Sequence, residues 1–105
     1  MAANRLVVLK EMVSRNPADS FARYGLAMEY AKSGQLEQAI TEYRVLLQHN
    51  ENYVAAYFHL GQAFEKLARL EEARDIYVKG IEIATRTGDG HARSELQAAL
   101  DLLPI

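Results

Sequence analysis

Apolar residues recur along this chain at intervals of three and four residues, the spacing of one face of an α-helix. The first such stripe runs through Leu6, Val8, Leu9, Met12 and Val13. No segment alternates apolar and polar residues, and no Asn-Gly pair marks a β-hairpin. We therefore predict an all-α chain of six helices. They cover residues 4–15, 17–32, 36–48, 53–67, 70–85 and 89–103.

The residues between these segments are typical of helix ends. Asn16 precedes a proline and is the expected N-cap of the second helix, with Asp19 placed to meet its free N–H groups. Gly34 ends that helix because glycine readily adopts the left-handed conformation. Ala68 has the same place in the next hairpin, where we expect a similar turn at some cost in strain, or a different cap. Asp89 is expected to cap the last helix.

The chain contains a repeat, and the offset from Leu26 to Leu60 is its period. The matching pairs are Leu26 and Leu60, Ala27 and Gly61, Tyr30 and Phe64, Leu36 and Leu70, Ala39 and Ala73, and Tyr43 and Tyr77. A period of this length with helical spacing inside each copy indicates stacked helical hairpins. We divide the chain, as one domain over 1–105, into an N-terminal half-repeat helix, two full repeats and a C-terminal capping helix. These parts are residues 4–15, 20–53, 54–87 and 89–103.

The second copy resembles the tetratricopeptide repeat family, whose pattern combines aromatic residues, a Leu-Gly pair and an alanine at fixed spacing. The matching residues are Tyr57, Leu60, Gly61, Phe64, Ala73 and Tyr77. The first copy departs from the pattern at Arg23, where the family prefers an aromatic residue. The resemblance implies a right-handed superhelical stack of antiparallel helix hairpins that binds another protein and has no catalytic activity.

Within each hairpin, small residues are expected where the paired helices approach closely, and large apolar residues are expected to fill the space beside them. Gly80 lies in mid-helix, and we expect close helix contact to compensate its low helix propensity. The predicted repeat core is Leu26, Ala27, Tyr30, Ala39, Tyr43, Leu60, Gly61, Phe64, Ala73 and Tyr77.

A second stripe on the first helix of each hairpin predicts a ligand groove on the concave side. Its residues are Phe21, Tyr24, Met28, Lys32, Phe58, His59, Gln62, Glu65 and Lys66. Tyr24 and Phe58 also fit a core position, and the sequence leaves both readings open. Some family members hold a peptide carboxylate with Lys and Asn, but the matching positions here are Tyr24, Met28 and His59. An apolar or mixed peptide or helix is therefore the expected ligand.

The composition narrows the possible functions. A formal net charge of −2 disfavours nucleic acid as a partner. The absence of cysteine excludes disulfides and thiolate metal sites and suits the cytoplasm. His49, His59 and His91 lack the spacing of a metal site. No catalytic or phosphate-binding constellation is present, and no apolar run is long enough for a membrane. We expect neither enzyme activity nor a cofactor.

An alternative function is self-association through the terminal helices, which would give a homodimer. The last segment is rich in apolar residues for a helix with a solvent-facing side. These residues are Leu96, Leu100, Leu102, Leu103 and Ile105.

Overall fold

In the computed structural model, which describes residues 2–105 and the side chains from Arg5 onward, the chain forms six α-helices and no strand. The helices are α1 (Ala2–Arg15), α2 (Ser20–Lys32), α3 (Leu36–His49), α4 (Ala55–Lys66), α5 (Leu70–Thr87) and α6 (Gly90–Asp101). The connections are short, so consecutive helices pack against each other as antiparallel neighbours. The prediction of an all-α chain of six helices is confirmed.

The helices form two layers. The backbones of α2 and α4, and those of α4 and α6, approach closely, whereas α3 and α5 are joined through long side chains, such as Arg44 and Glu72 at 3.2 Å. Helices α2, α4 and α6 therefore lie closer together than their hairpin partners, and the array is concave on their side.

The repeated positions are buried. All ten residues of the predicted repeat core are in the buried class. A Cβ on Gly61 would collide with the ring of Tyr77. A Cβ on Gly80 would lie 2.7 Å from Tyr57 Cβ and 3.0 Å from Leu96 Cδ1. The close helix contact expected at Gly80 is therefore present, and it explains why a residue of low helix propensity lies in mid-helix.

The two hairpin turns have the same backbone path. Gly34 adopts φ 81° and Ala68 adopts φ 59°, so both lie in the left-handed region. In each turn the following amide donates to the equivalent carbonyl of the preceding helix: Gln35 N to Tyr30 O at 2.8 Å, and Arg69 N to Phe64 O at 2.9 Å. Of the two expectations for Ala68, the similar turn is the one that forms.

The helix caps differ from the prediction at one place. Helix α2 begins at Ser20, and its N-cap is Asp19, whose carboxylate accepts the Ala22 N–H at 3.0 Å. Asn16 is not its cap, because a turn at Pro17 and Ala18 separates it from α2, with the Asp19 N–H donating to Asn16 O at 3.0 Å. Asp89 caps α6 as predicted and accepts the Ala92 N–H at 3.0 Å.

Arg23, which departs from the family pattern, is buried with 9% of its surface exposed. Its guanidinium forms an ion pair with Glu42 at 2.5 Å and donates to Pro17 O at 3.1 Å. The side chain therefore joins α2 to α3 and to the preceding turn. An aromatic residue at this position would join these elements by packing. Arg23 joins them by its charge and its hydrogen bonds.

Candidate functional site

A groove lies between α1 and α2 and has a volume of about 520 Å³. We call it the α1–α2 groove. Helix α1 contributes Arg5, Leu9 and Met12 to its walls. Helix α2 contributes Phe21, Ala22, Tyr24, Gly25, Met28, Glu29 and Lys32.

Large apolar side chains are open to solvent along this groove. Phe21 is 77% exposed, Met12 43% and Met28 38%. Contiguous exposed apolar side chains are unusual on a monomer and mark an interaction surface more often than isolated ones do. Chemically, the groove can bury apolar groups of a ligand.

One end of the α1–α2 groove is charged. Arg5 Nε forms an ion pair with Glu29 Oε1 at 3.0 Å, and the Glu29 side chain is only 10% exposed. Lys32 lies exposed at the same end. The ion pairs of residues 5–105 leave Lys32 without an acidic partner. That end can therefore accept negative charge.

The nine predicted groove residues fall into two groups. The four on α2, namely Phe21, Tyr24, Met28 and Lys32, line the α1–α2 groove. The five on α4, namely Phe58, His59, Gln62, Glu65 and Lys66, lie outside it.

Sequence reasoning missed the α1 side of the groove. Leu9 and Met12 belong to it, as does Gly25, where an added Cβ would lie 3.2 Å from Leu9 Cδ2. The signal was available, because Leu9 lies one repeat period before Tyr43, and Met12 lies one period before Leu46. Applying the repeat period to the first helix identifies the side of α1 that faces the hairpin interior.

Tyr24 connects the two groups through an aromatic cluster. Its ring centroid lies 5.1 Å from that of Tyr53, 5.8 Å from that of His59 and 6.3 Å from that of Tyr43. Phe58 continues the cluster, 5.5 Å from His59. Tyr24 and Phe58 are both half-buried and pack against the core. Tyr24 therefore lies both against the core and in the α1–α2 groove, whereas Phe58 packs against the core outside that groove.

The environment of this cluster changes the acidity of its members. Burial lowers the pKa of the His59 imidazole below its usual 6.5, against the opposing effect of Glu95. Burial raises the pKa of the Tyr24 hydroxyl. Near neutral pH His59 is therefore uncharged, and it provides an aromatic surface with polar nitrogens.

The polar residues on α4 are engaged within the chain. Gln62 Nε2 donates to the Tyr77 hydroxyl at 2.6 Å, and that hydroxyl donates to Glu65. Burial, and then the bond to Glu65, raise the pKa of Tyr77. Lys66 is exposed. A ligand that used Gln62 or Glu65 would have to compete with these internal hydrogen bonds.

Two further findings bear on the chemistry available. Along the described chain, no three His, Cys, Asp or Glu residues come together in a way that could hold a metal ion. Among residues 2–105, no helix combines the length and apolar character needed to span a membrane.

Comparison with known proteins identifies similar sequences and folds. A sequence model described as "TPR repeat" matches residues 27–67, and one described as "Tetratricopeptide repeat" matches residues 54–87. A TPR repeat-containing protein of Pseudomonas aeruginosa is 26% identical over 92 residues, which are 88% of each chain. The solution structure of a tetratricopeptide repeat domain protein from Salinibacter ruber is 37% identical, with a TM-score of 0.79. The match covers 85% of this chain and 90% of that one.

A more distant structure shares the fold. PcrH, solved in complex with the chaperone binding region of PopD, has a TM-score of 0.91 at 16% identity, over 97% of this chain and 77% of that chain.

Proposed function

Because the chain belongs to the tetratricopeptide repeat family, we propose that it is a non-catalytic scaffold that binds a peptide or helix of a partner protein through α2 and α4. The observation that carries this proposal is the open apolar wall of the α1–α2 groove, with Phe21, Met12 and Met28 exposed. The solved complex of PcrH with a region of PopD supports it as an example of a partner segment bound to the same fold.

In the proposed complex, Phe21, Tyr24 and Met28 provide apolar contacts on α2, and Phe58 extends them onto α4. Lys32 and Lys66 lie at the edge, and His59, Gln62 and Glu65 offer polar contacts. The uncharged His59 suits an apolar or mixed ligand better than a carboxylate, because the Lys and Asn donors of a carboxylate clamp are replaced here by residues such as Tyr24 and His59.

The test is a quantitative pull-down from an extract of the native cells with the immobilised chain. The variant combines Phe21→Glu with Met28→Glu, because both side chains are exposed and tolerate charge without disturbing the core. Phe58→Ala tests the α4 part. Because the Phe58 side chain is half-buried, the folding of this variant is checked in parallel.

The matched control is Val78→Glu on α5, since Val78 is 50% exposed and lies away from the groove. We expect a protein that is retained by the unchanged chain and by the Val78 variant and lost by the Phe21/Met28 variant. If every retained protein is held equally by both variants, the proposal is wrong.

A second candidate function is self-association through the C-terminal segment. Leu102 is 82% exposed and Ile105 61%, whereas Leu96 and Leu103 are buried and Leu100 packs against the core. Light scattering over a concentration series tests this, and Leu102→Glu should abolish any dimer. Leu100→Glu would be a poorer test, because it would also damage the core.

A further inference from the structure

The three helices α1, α3 and α5 occupy the same position in successive repeats. Adding one repeat period to the bounds of α1 (Ala2–Arg15) gives the bounds of α3 (Leu36–His49). Helix α5 begins one period after α3. Each of these helices forms a groove with the helix that follows it. Helix α2 fills the α3–α4 groove, because it packs on α3 and contacts α4. Helix α4 fills the α5–α6 groove, because it packs on α5 and contacts α6. The α1–α2 groove is the third of the series, and it is open to solvent.

The equivalence holds residue by residue. Leu9 and Met12 of the groove correspond to Tyr43 and Leu46 of α3. Beneath α2, Tyr43 and Leu46 are 0% and 1% exposed, whereas Met12 is 43% exposed. The side of α1 that bears Met12 is therefore the side that, one repeat later, a helix covers completely.

The filled grooves also define which helix fits. The inserted helix has a small residue where it crosses its partner: Ala27 is 0% exposed, and Gly61 leaves no room for a Cβ beside Tyr77. Close approach of two helices requires such a residue. A helix in the α1–α2 groove would cross α1 near Leu9, so it needs Gly, Ala or Ser at that point.

The direction of the helix follows from the same comparison. Helix α2 runs antiparallel to α3, so a helix in the equivalent position runs antiparallel to α1 and ends beside Arg5 and Lys32. Arg5 is paired with Glu29, and Lys32 is unpaired among the described side chains. A helix C-terminus carries partial negative charge, which together with an acidic side chain complements these cations.

We propose that the α1–α2 groove binds an amphipathic α-helix of a partner protein. This helix packs antiparallel to α1 in the position that α2 and α4 hold in their own hairpins, has a small residue at the crossing with Leu9, and carries an acidic residue in its last turn. The inference rests on the proposed scaffold function, since it specifies the partner segment that contacts Phe21 and Met28.

A second copy of the chain fits less well. The helix of a second copy to consider is α6, which like α1 belongs to neither hairpin. It matches α4 with a shift slightly longer than the repeat period, because Leu96 corresponds to Leu60. Gln97 then stands at the crossing position of Gly61, and the neighbouring exposed surface includes Arg93, Ser94 and Asp101. Placing α6 in the groove would bury these polar groups against Leu9 and Met12 without matching partners.

The probe is a fluorescein-labelled peptide that copies residues 53–68, because α4 is a helix shown to fill an equivalent groove, with Gly61 at the crossing and Glu65 one turn later. Binding to the full chain is measured by fluorescence anisotropy. The contact is located from the NMR signals of the methionine methyl groups, since two of the three methionines, Met12 and Met28, line the groove.

We expect saturable binding that shifts both of these methyl signals. A peptide with Leu in place of Gly61 should bind about tenfold more weakly because the crossing is overpacked. A peptide with Pro in place of Leu60 should lose binding because it cannot form the helix.

Charge reversal tests the orientation. Lys32→Glu in the chain should weaken the peptide about threefold. A peptide with Lys in place of Glu65 should restore the affinity of that variant. The matched control is Lys66→Glu, since this exposed lysine is the counterpart of Lys32 in the next repeat and lies outside the groove.

Three outcomes would overturn the proposal: no saturable binding, equal binding of the proline peptide, or binding that leaves both methyl signals unmoved. If the peptide fails while the pull-down still yields a partner that depends on Phe21 and Met28, the helix inference is wrong and the scaffold function stands. If the chain alone dimerises with concentration and shifts the same methyl signals, the occupant is a second copy, and the partner helix is again excluded.

Discussion

Gly61 of α4 lies directly against the ring of Tyr77 of α5, with no room for a Cβ between them. We predict that Gly61→Ala destabilises the chain by about 2 kcal/mol, because the added methyl group must displace a fully buried ring. Thermal unfolding followed by circular dichroism should show a midpoint lower by roughly 10 °C.

Gly90→Ala is the matched control for this substitution. A Cβ at Gly90 meets no atom within 4 Å, so alanine there should leave the midpoint unchanged or raise it slightly. Equal effects of the two substitutions would contradict the close-packing interpretation of Gly61.

Ala68 carries a left-handed conformation that its counterpart Gly34 adopts without a Cβ penalty. We predict that Ala68→Gly stabilises the chain by about 0.5–1 kcal/mol, the relief of strain exceeding the entropy that glycine adds to the unfolded state. Urea denaturation measures the difference. Gly34→Ala should lower the free energy of unfolding by a similar amount. A loss of stability in both variants would show that the strain at Ala68 is negligible.

The equivalent tyrosines Tyr43 and Tyr77 differ in their hydroxyl groups. The Tyr77 hydroxyl bonds with Gln62 and Glu65, whereas the buried Tyr43 hydroxyl has no hydrogen-bond partner among the described atoms. We predict that Tyr77→Phe costs about 1–2 kcal/mol of unfolding free energy, and that Tyr43→Phe is neutral or stabilising. Chemical denaturation of the two variants checks this. Equal losses would mean that Tyr43 is hydrogen-bonded in solution.

His59 should make stability depend on pH. Burial lowers its pKa in the folded chain, so as the pH falls the unfolded chain binds the proton first. Stability is therefore complete above about pH 6.5 and falls as the pH drops from there to the lowered pKa of the folded state.

Thermal midpoints between pH 7.5 and 5 measure this effect, and His59→Gln should flatten the profile over that range. The carboxylates of Glu51 and Glu72 do not interfere. Arg86 and Arg69, respectively, lower their pKa below the usual 4.5, so their contributions are lost only at more acidic pH. An unchanged slope in the glutamine variant would show that His59 is not the responsible group.

Much of the fold could be predicted because the same packing positions occur in both repeats. Ala27 and Gly61, or Tyr43 and Tyr77, have the same environment in successive hairpins, so one comparison identifies both the helices and their contact sides. The start of α2 was less predictable. Asn16 and Asp19 are both good N-caps, and Asp19 is the cap because the turn at Pro17 and Ala18 separates Asn16 from the first turn of α2.

The candidate site was predicted only in part. Phe21 and Met28 stood out because their counterparts Ala55 and Gln62 differ in character. Their neighbours Leu9 and Met12 on α1 are found only when the repeat period is extended to the first helix, where they correspond to Tyr43 and Leu46.

By itself, then, the sequence determined the period, the helices and the small residues at the crossings, because each depends on local spacing that is repeated along the chain. Only the tertiary structure decided that the α2 half of the predicted groove belongs with α1 and the α4 half lies outside it. It also decided that Gln62 and Glu65 are engaged by Tyr77. The physical reason is that a groove is formed by side chains distant in sequence, whose distances are set by how whole helices pack.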